Sequence, residues 1–317
     1  MKALAIEKIG NPVKLVEVDM PIEKVGHSIV RLHASALNHR DVWITKGMYP
    51  GIKEGAILGS DGVGELEGRK VILNPGLNWG ANEAVQADDF QVLGMPMNGT
   101  FAEYISIPHE YVYGKPAHLN TDEAASLPLA GLTAYRVLMS RCQTKSTDRV
   151  LVTGTGGGVA LFTVQFAVAL GCDVFVTSGS DEKIAQAIVL GAKGGYNYNN
   201  EAWYKDVETD FDVIIDSAGG PAFQHLIKIC KPGARIGFYG ATLGKYQNLN
   251  PQLLFWRQIS ILGSTMGSDQ DFKDMLAFVN NYNIRPVVDS VFSLEDGIKA
   301  FERMEAGTQF GKIVLKH

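Results

Sequence analysis

Cysteine is scarce. The 317 residues hold three, Cys142, Cys172 and Cys230, far apart and without a CxxC pair, which supports neither a disulfide framework nor a cysteine zinc knot and points to a reducing, cytoplasmic setting. Long apolar runs are missing too. The most hydrophobic stretch, Val150 to Val176, is cut by GTGGG and contains Asp173, so it is read as strand, turn, helix and strand, not as a membrane span. The N-terminal MKALAIEKIGNP meets charge at Lys2, Glu7 and Lys8, which leaves no apolar core of signal-peptide length. Basic residues are neither in excess nor clustered: 29 Lys and Arg against 34 Asp and Glu give a formal net charge of −5. That balance disfavours nucleic acid or an anionic membrane as partner and leaves a small or neutral molecule.

Glycine, in contrast, is abundant. The 35 glycines make about 11% of the chain against a typical ~7%, with no repeat and no Pro/Ser bias, so the excess belongs to turns and close backbone approaches. A chain of this length with 46% hydrophobic residues can bury two ordinary cores. Its first 121 residues give short β-type runs, KALAIEK, VKLVEVD, HSIVRLHASAL, RKVILNP and GTFAEYISIP, separated by Gly, Pro and Asn turns. That pattern predicts an all-β, barrel-like module. The texture changes near Thr121, where TDEAASLPLAGLTAYRVLMSRC runs at helical period, broken at Pro128. Strands and helices then alternate through RVLVTG, VALFTVQFAVALG, CDVFVTS, DEKIAQAIVLG, FDVIIDS, ARIGFYG and ISILGST. The fold class expected is α/β, with a doubly wound parallel sheet over 122–266. The segment 267–317 is expected to return to the first module and complete it.

The most informative stretch is RVLVTGTGGGVALFTVQFAVALGCDVFVTS. An apolar strand runs into Gly154, Gly156, Gly157 and Gly158 and then into a helix. Glycine is needed there because the turn demands permissive dihedrals and a pyrophosphate must approach backbone N–H groups without a Cβ in the way. A strict GxGxxG spacing would put its third glycine at Val159, so the dinucleotide fingerprint is imperfect. At the tip of the next strand, where an NAD site usually carries Asp or Glu, this chain has Thr177, Ser178 and Gly179. No carboxylate repels a 2′-phosphate, while Lys183 and Tyr198 follow closely, which favours NADP(H). The alternative for Lys183 is an ordinary solvated helix lysine.

Taken together, MKAL, LNHRDVWITKG, ILGSDGVGE, NGTFAEYISIP, EAASLPLAGLTAYRVL, VTGTGGGVALFTVQFA, DSAGG, ILGSTMGS and GKIVL resemble the medium-chain dehydrogenase/reductase superfamily over nearly the whole chain, in its quinone-oxidoreductase and zinc-type-alcohol-dehydrogenase-like branch. The resemblance implies a GroES-like catalytic domain over 1–121 and 267–317 and a Rossmann NADP(H)-binding domain over 122–266. It also explains the imperfect fingerprint, because Gly154, Gly157 and Ala160 fit the family's shifted pattern of small residues. Thr133, Gly240, Met266 and Lys312 match positions on the cofactor side. Lys312 also has a plain reading as a surface strand lysine.

The resemblance bears on the dense polar stretch NHRD, residues 38 to 41. Zinc-using relatives carry Cys where this chain has Asn38, a His-Glu pair where it has Ser60 and Asp61, and a third ligand where it has Leu129. Asn, Ser and Leu are not a catalytic zinc set. The segment NPGLNWGANEAVQADDFQVLG, which holds four cysteines in those relatives, has none, so no zinc is expected. What remains is hydride transfer to a quinone or an α,β-unsaturated carbonyl, with Asn38, Tyr49 and Ser60 as candidate donors to the developing oxyanion. Tyr49 also reads as a rim aromatic, Asp41 as a helix-start carboxylate, and His39 with Asp41 as a remote metal pair. A zinc-dependent alcohol dehydrogenase and a non-catalytic NADPH-binding sensor stay open. The apolar strand in FWRQISILGST is expected at the edge of the cofactor-domain sheet, either paired with its twin in a homodimer or covered by its own C-terminal helix.

Overall fold

The computed structural model describes residues 1–317, which separate into two compact units, Met1–Leu132 with Gly267–His317, and Thr133–Met266. The chain opens with β1 (Lys2–Ala5), β2 (Lys14–Glu17), β3 (His27–Ala36), α1 (His39–Thr45), β4 (Asp61–Leu66), β5 (Arg69–Leu73), β6 (Gly76–Leu77), β7 (Gln91–Val92), β8 (Tyr104–Pro108), β9 (Val112–Gly114), α2 (Thr121–Ser126) and α3 (Pro128–Tyr135). Next come β10 (Arg149–Val152), α4 (Gly158–Leu170), β11 (Asp173–Ser178), α5 (Asp181–Val189), β12 (Gly194–Asn197), β13 (Phe211–Asp216), α6 (Phe223–Lys228), β14 (Cys230–Phe238), α7 (Pro251–Arg257) and β15 (Ser260–Gly263). The last elements are α8 (Asp269–Asn281), β16 (Val288–Ser293), α9 (Gly297–Glu305) and β17 (Lys312–Lys316). No helix is long and apolar enough to cross a membrane.

The first unit is organised by a sheet of order β16-β17-β3-β4-β5-β9, with β8 also paired to β3. Strand β3 explains why. Its ten residues, HSIVRLHASA, alternate so that Val30, Leu32, Ala34 and Ala36 are buried, the period-2 pattern of a strand with one face on a core. Val30 and Leu32 join Val71, Leu73, Ile105 and Ile107 in one apolar cluster. A second cluster gathers Leu37, Ile44, Leu58 and Phe101 with Phe301, Ile313 and Leu315, so the C-terminal segment does complete the first module. Antiparallel pairing of Val314 with Ala36 fixes the register of β17 on β3.

The boundary differs from the one expected at residue 121: residues 122–132 belong to the first unit. Helix α2 packs against β3, β4 and β17, and its acidic first turn is held there by Asp122 with Lys316 and Glu123 with Arg285. The change of texture at Thr121 marks the start of helix, not the start of a new core.

The second unit is a six-stranded, all-parallel sheet of order β12-β11-β10-β13-β14-β15. Strands β10 and β13 are almost entirely buried, as expected where helices cover both faces. Strand β15 ends the sheet and is bonded only to β14.

One glycine tests the tightness of the first sheet. A Cβ on Gly64 would collide with the carbonyl oxygen of Arg31, across the β3–β4 ladder, whereas one on Gly114 in β9 meets nothing within 4 Å. Gly64→Ala should therefore cost about 2–3 kcal/mol, as overpacking against fixed backbone does. Gly114→Ala should stay within ~0.5 kcal/mol of wild type. Equal melting temperatures for the two variants in thermal denaturation would contradict this packing.

Candidate functional site

In the second unit, strand order reverses between β10 and β13: β10 leads to β11 and β12 on one side, and β13 leads to β14 and β15 on the other. Open parallel sheets bind nucleotides beyond the carboxyl ends of their strands at such a point. The glycine turn lies there. Gly154 and Gly156 adopt φ of +66° and +145°, values that L side chains rarely take. Gly157 precedes α4 and supplies no side-chain cap. The first N–H groups of α4, from Gly158 and Val159 onward, are thus left for an anion. Ala160 is buried, which lets the helix pack closely on the sheet.

Of the other predicted cofactor residues, Ser178, Lys183 and Tyr198 lie around this turn and the tip of β11. A Cβ on Gly156 would stand 3.0 Å from Lys183 Cδ and 3.3 Å from its Nζ, so the lysine lies over the glycine turn. A Cβ on Gly179 would stand 3.0 Å from the Tyr198 hydroxyl, placing that phenol on the loop between β11 and α5. Lys183 thus lies against the glycine turn after β10, and Tyr198 against the loop after β11. The Ser178 hydroxyl donates to the Thr155 carbonyl at 3.3 Å and ties the two loops. Gly240 has no room for a side chain, since a Cβ would lie 2.8 Å from the Ser217 carbonyl oxygen. Thr133 is buried, and Met266 ends the unit with a φ of +44°.

Sequence reasoning misses Asp216. At the tip of β13 it accepts from the Thr153 hydroxyl at 2.6 Å and from the Gly219 N–H at 2.8 Å, so it bridges β10 to β13 across the crevice. Burial raises its pKa above the ordinary carboxylate value, against the opposing pull of Thr153 and the amides of the following turn. A signal for it does exist: FDVIIDSAGG ends an apolar strand on a carboxylate followed by two glycines, both of positive φ.

In the first unit the polar stretch NHRD proves to be a helix start. Asn38 caps α1, and Asp41 in the first turn accepts the Asn38 backbone N–H at 2.8 Å. The Asn38 side chain belongs to a buried cluster. Its Nδ2 donates to Asp61 Oδ2 at 2.9 Å, and its Oδ1 accepts from Lys312 Nζ at 2.7 Å. Lys312 also donates to Asp61 Oδ2 at 2.9 Å and to the Leu37 carbonyl at 2.6 Å. Asp61 Oδ1 accepts the Leu129 N–H at 2.7 Å. Asn38, Asp61 and Leu129, three of the positions that the resemblance relates to metal binding, are therefore linked by one carboxylate that is also paired with an ammonium.

Lys312 changes place relative to expectation. Its ammonium has three donors, and all three are used inside this cluster, so it belongs with Asn38 and Asp61 and not on the cofactor. The plain surface reading fails as well, since the residue is buried. Ser60 is also committed: its hydroxyl donates to the Leu93 carbonyl at 2.8 Å and accepts from Arg40 Nη1 at 2.6 Å. Arg40, not singled out from the sequence, holds the carbonyls of Leu93 and Met95 too and lies 5.3 Å from the centroid of the Tyr49 ring. Tyr49 is partly exposed above it. No group of three His, Cys, Asp or Glu side chains converges on a metal-sized site. His39 and Asp41 make no ligand pair, for Asp41 is fully buried while His39 is exposed.

The chain was compared with known proteins. Residues 24–117 match the alcohol dehydrogenase GroES-like domain, and residues 158–281 match the zinc-binding dehydrogenase domain. The zinc-type alcohol dehydrogenase-like protein YogA of Leptosphaeria maculans is 34% identical, over 96% of this chain and 94% of its own. An acryloyl-coenzyme A reductase of Metallosphaera sedula is 27% identical, over 99% of each chain. Among solved structures, an NAD-dependent alcohol dehydrogenase superimposes with a TM-score of 0.94 at 34% identity, covering 100% of both chains. A quinone oxidoreductase from Thermus thermophilus, solved also with NADPH, gives 0.84 at 25% identity, again covering 100% of both. The chain belongs to the medium-chain dehydrogenase/reductase superfamily, in the zinc-type alcohol dehydrogenase-like family. It is an oxidoreductase that uses a nicotinamide cofactor.

Asp41 supplies a pH test. Burial raises its pKa to about 6, against the attraction of Arg40, the Asn38 amide and Lys312, and Oδ1 has no hydrogen-bond partner. The native state then holds this proton more tightly than the unfolded chain does. Ionisation of Asp41 costs stability as pH rises from about 4 to about 6, and the penalty is complete above that window. Asp41→Asn removes the charge and keeps an oxygen for the Asn38 N–H. It should raise stability at pH 8 by roughly 1–3 kcal/mol and give no gain at pH 4. A gain of the same size at both pH values would show that the charge is not its source.

Proposed function

We propose that this protein is a zinc-independent, NADPH-preferring reductase whose acceptor is a quinone or an α,β-unsaturated carbonyl compound. The observation that carries this reading is the buried cluster around Asp61. Both oxygens of that carboxylate are spent on Asn38, Leu129 and Lys312, and the neighbouring donors are an amide and a hydroxyl, neither of which is a zinc ligand. Stabilisation of an alkoxide by a metal is therefore not what these residues are built for. When bound, the reduced nicotinamide supplies the hydride. The chain's own part is to hold the pyrophosphate on the α4 N-terminus and the acceptor oxygen on neutral hydrogen-bond donors, of which the Asn38 amide is the first candidate. The names of two relatives, an acryloyl-coenzyme A reductase and a quinone oxidoreductase, fit acceptors of this kind.

Lys183 and Tyr198 carry the preference for NADPH. Lys183 lies over the Gly156 turn and Tyr198 beside Gly179, and the tip of β11 itself carries Thr177, Ser178 and Gly179 and no carboxylate, which supports an ammonium and a phenol as partners for a 2′-phosphate. Lys183→Ala should weaken NADPH binding by ~1–3 kcal/mol, the usual worth of a hydrogen bond to a charged group, and leave NADH nearly unchanged. Cofactor titration decides it, and equal losses for the two cofactors would reject this assignment. NADPH oxidation by a panel of quinones, enones and aldehydes, and NADP+ reduction by alcohols, each with and without a chelator, test the reaction itself. Activity confined to alcohol oxidation and abolished by chelation would instead identify a zinc-dependent alcohol dehydrogenase.

The same reading extends to assembly as a homodimer. The edge strand β15 has one unpaired side, and beside it in sequence α7 exposes Phe255 and Trp256 at 67% and 83%. An apolar edge with large exposed aromatics favours pairing with a second copy across a two-fold axis. Leu262→Pro should break such a dimer because proline cannot donate to a shared ladder. Light scattering at micromolar concentration that finds the wild-type protein monomeric would refute the assembly.

A further inference from the structure

We infer that Lys312 is a positioning residue: it fixes the orientation of the Asn38 amide, and through it the N–H that the acceptor oxygen meets. The inference rests on the proposed reductase function for the identity of the acceptor, but not for the geometry. Lys312 opens β17, whose residues Val314 and Leu315 pair with Ala36 and Ser35 of β3. Following that ladder two residues back brings Lys312 opposite Asn38, just beyond the bond from Leu37 N–H to the Ile313 carbonyl at 2.9 Å. The lysine's position therefore follows from strand register, and its side chain is left 4% exposed beside a fully buried Asp61.

Polarity does the rest. An ammonium can only donate, and an ionised carboxylate can only accept. Asn38 stands between them, with its Oδ1 at 2.7 Å from Lys312 Nζ and its Nδ2 at 2.9 Å from Asp61 Oδ2. Turning the amide over would set N–H against the ammonium and C=O against the carboxylate, so one orientation alone satisfies both neighbours. The Leu129 N–H on Asp61 Oδ1 holds the carboxylate in turn. Of the Asn38 donors, one is locked to Asp61. The second reaches only the Ala36 carbonyl, at a long 3.5 Å, and is the N–H free to exchange that weak partner for an acceptor oxygen. Without Lys312 the Asn38 Oδ1 loses its donor and the Asp61 carboxylate alone holds the amide, so the orientation rests on one hydrogen bond where two had fixed it.

Removing the lysine alone leaves a buried carboxylate without its cation, which threatens folding. The test therefore uses Lys312→Met, the charge-free double variant Asp61→Asn/Lys312→Met, and Lys312→Arg. Menadione and methyl vinyl ketone serve as acceptors, and ¹⁵N spectra of asparagine-labelled protein report the Asn38 side chain, identified by its loss in Asn38→Asp. We expect the double variant to keep a melting temperature near that of wild type while kcat falls by about 10²-fold, the scale of one lost oxyanion donor, with KM for NADPH unchanged. The Asn38 amide signals should broaden or split in it, and Lys312→Arg should restore much of kcat. A double variant with kcat within about threefold of wild type, or with unchanged Asn38 amide signals, would overturn the inference and leave Lys312 a structural partner of Asp61. Failure of the wild-type protein to reduce either acceptor would count against the proposed reaction only, because the amide signals are read without an acceptor.

Discussion

The first unit depends on a buried ion pair that could not stand alone. Lys312 and Asp61 meet at 2.9 Å with their side chains almost wholly out of water, and desolvating two charges costs several kcal/mol each unless every remaining donor and acceptor is used. Here each is used. Asp61 takes Asn38, Lys312 and the Leu129 amide on its carboxylate, while its backbone carbonyl takes the Thr100 hydroxyl at 2.6 Å. The partners come from residue 38, residue 61, residue 129 and residue 312, so one carboxylate joins the end of β3, the start of β4, the start of α3 and the last strand. A chain that failed to bring β17 back would leave Asp61 charged and uncompensated. The return of the C-terminal segment to the first module is thus specified electrostatically as well as by the apolar contacts of Ile313 and Leu315.

The second unit solves a different problem with other means. Its task is to leave donors unpaired at one place, and glycine does that by clearing side chains from the turn between β10 and α4. Order is then restored by neutral or singly charged hydrogen bonds: Thr153 to Asp216 across the strand tips, and Ser178 to the Thr155 carbonyl between the loops. Asp216 has no cation beside it, and burial raises its pKa. Four donors, the Thr153 hydroxyl from the tip of the neighbouring strand and the amides of Ser217, Ala218 and Gly219 just beyond Asp216, oppose that shift. The crevice is in this way fixed in shape by hydrogen bonds between its own strand tips and loops.

These contrasts decide what can be read from the sequence. Period and punctuation disclose both sheets and the strand–glycine–helix unit, because each depends on neighbours a few residues apart, whereas the return of the C-terminal segment is held by partners 251 and more positions away. The domain boundary is misplaced by sequence because helical texture at Thr121 says nothing about which core the helix packs on. That is set by its buried face, Ala124, Ala125 and Ser126, which packs on β3, β4 and β17, with Asp122–Lys316 and Glu123–Arg285 at the rim. Lys312 reads as a cofactor-side or surface residue because its true partners lie 251 and 274 positions away. No spacing rule spans such a gap. Ser60 is legible as a polar residue in the right segment, but not as one already spent on Leu93 and Arg40.

The residues at the heart of the first unit also make sense only as a set. Asn38 is useful between a carboxylate and an ammonium because an amide is the one neutral side chain that offers both an acceptor and a donor along the same edge. Serine at position 60 suits a guanidinium that needs an acceptor, and Arg40 in turn is anchored by three neutral oxygens instead of a carboxylate. Asp41, with one oxygen capping α1 and the other unpartnered, is the carboxylate nearest in sequence to that guanidinium, and the attraction of Arg40 is the largest of the forces opposing its raised pKa. The cluster therefore resists piecemeal change: its charges are balanced internally, its donors are committed, and the single loosely held N–H of Asn38 is what it leaves over for chemistry.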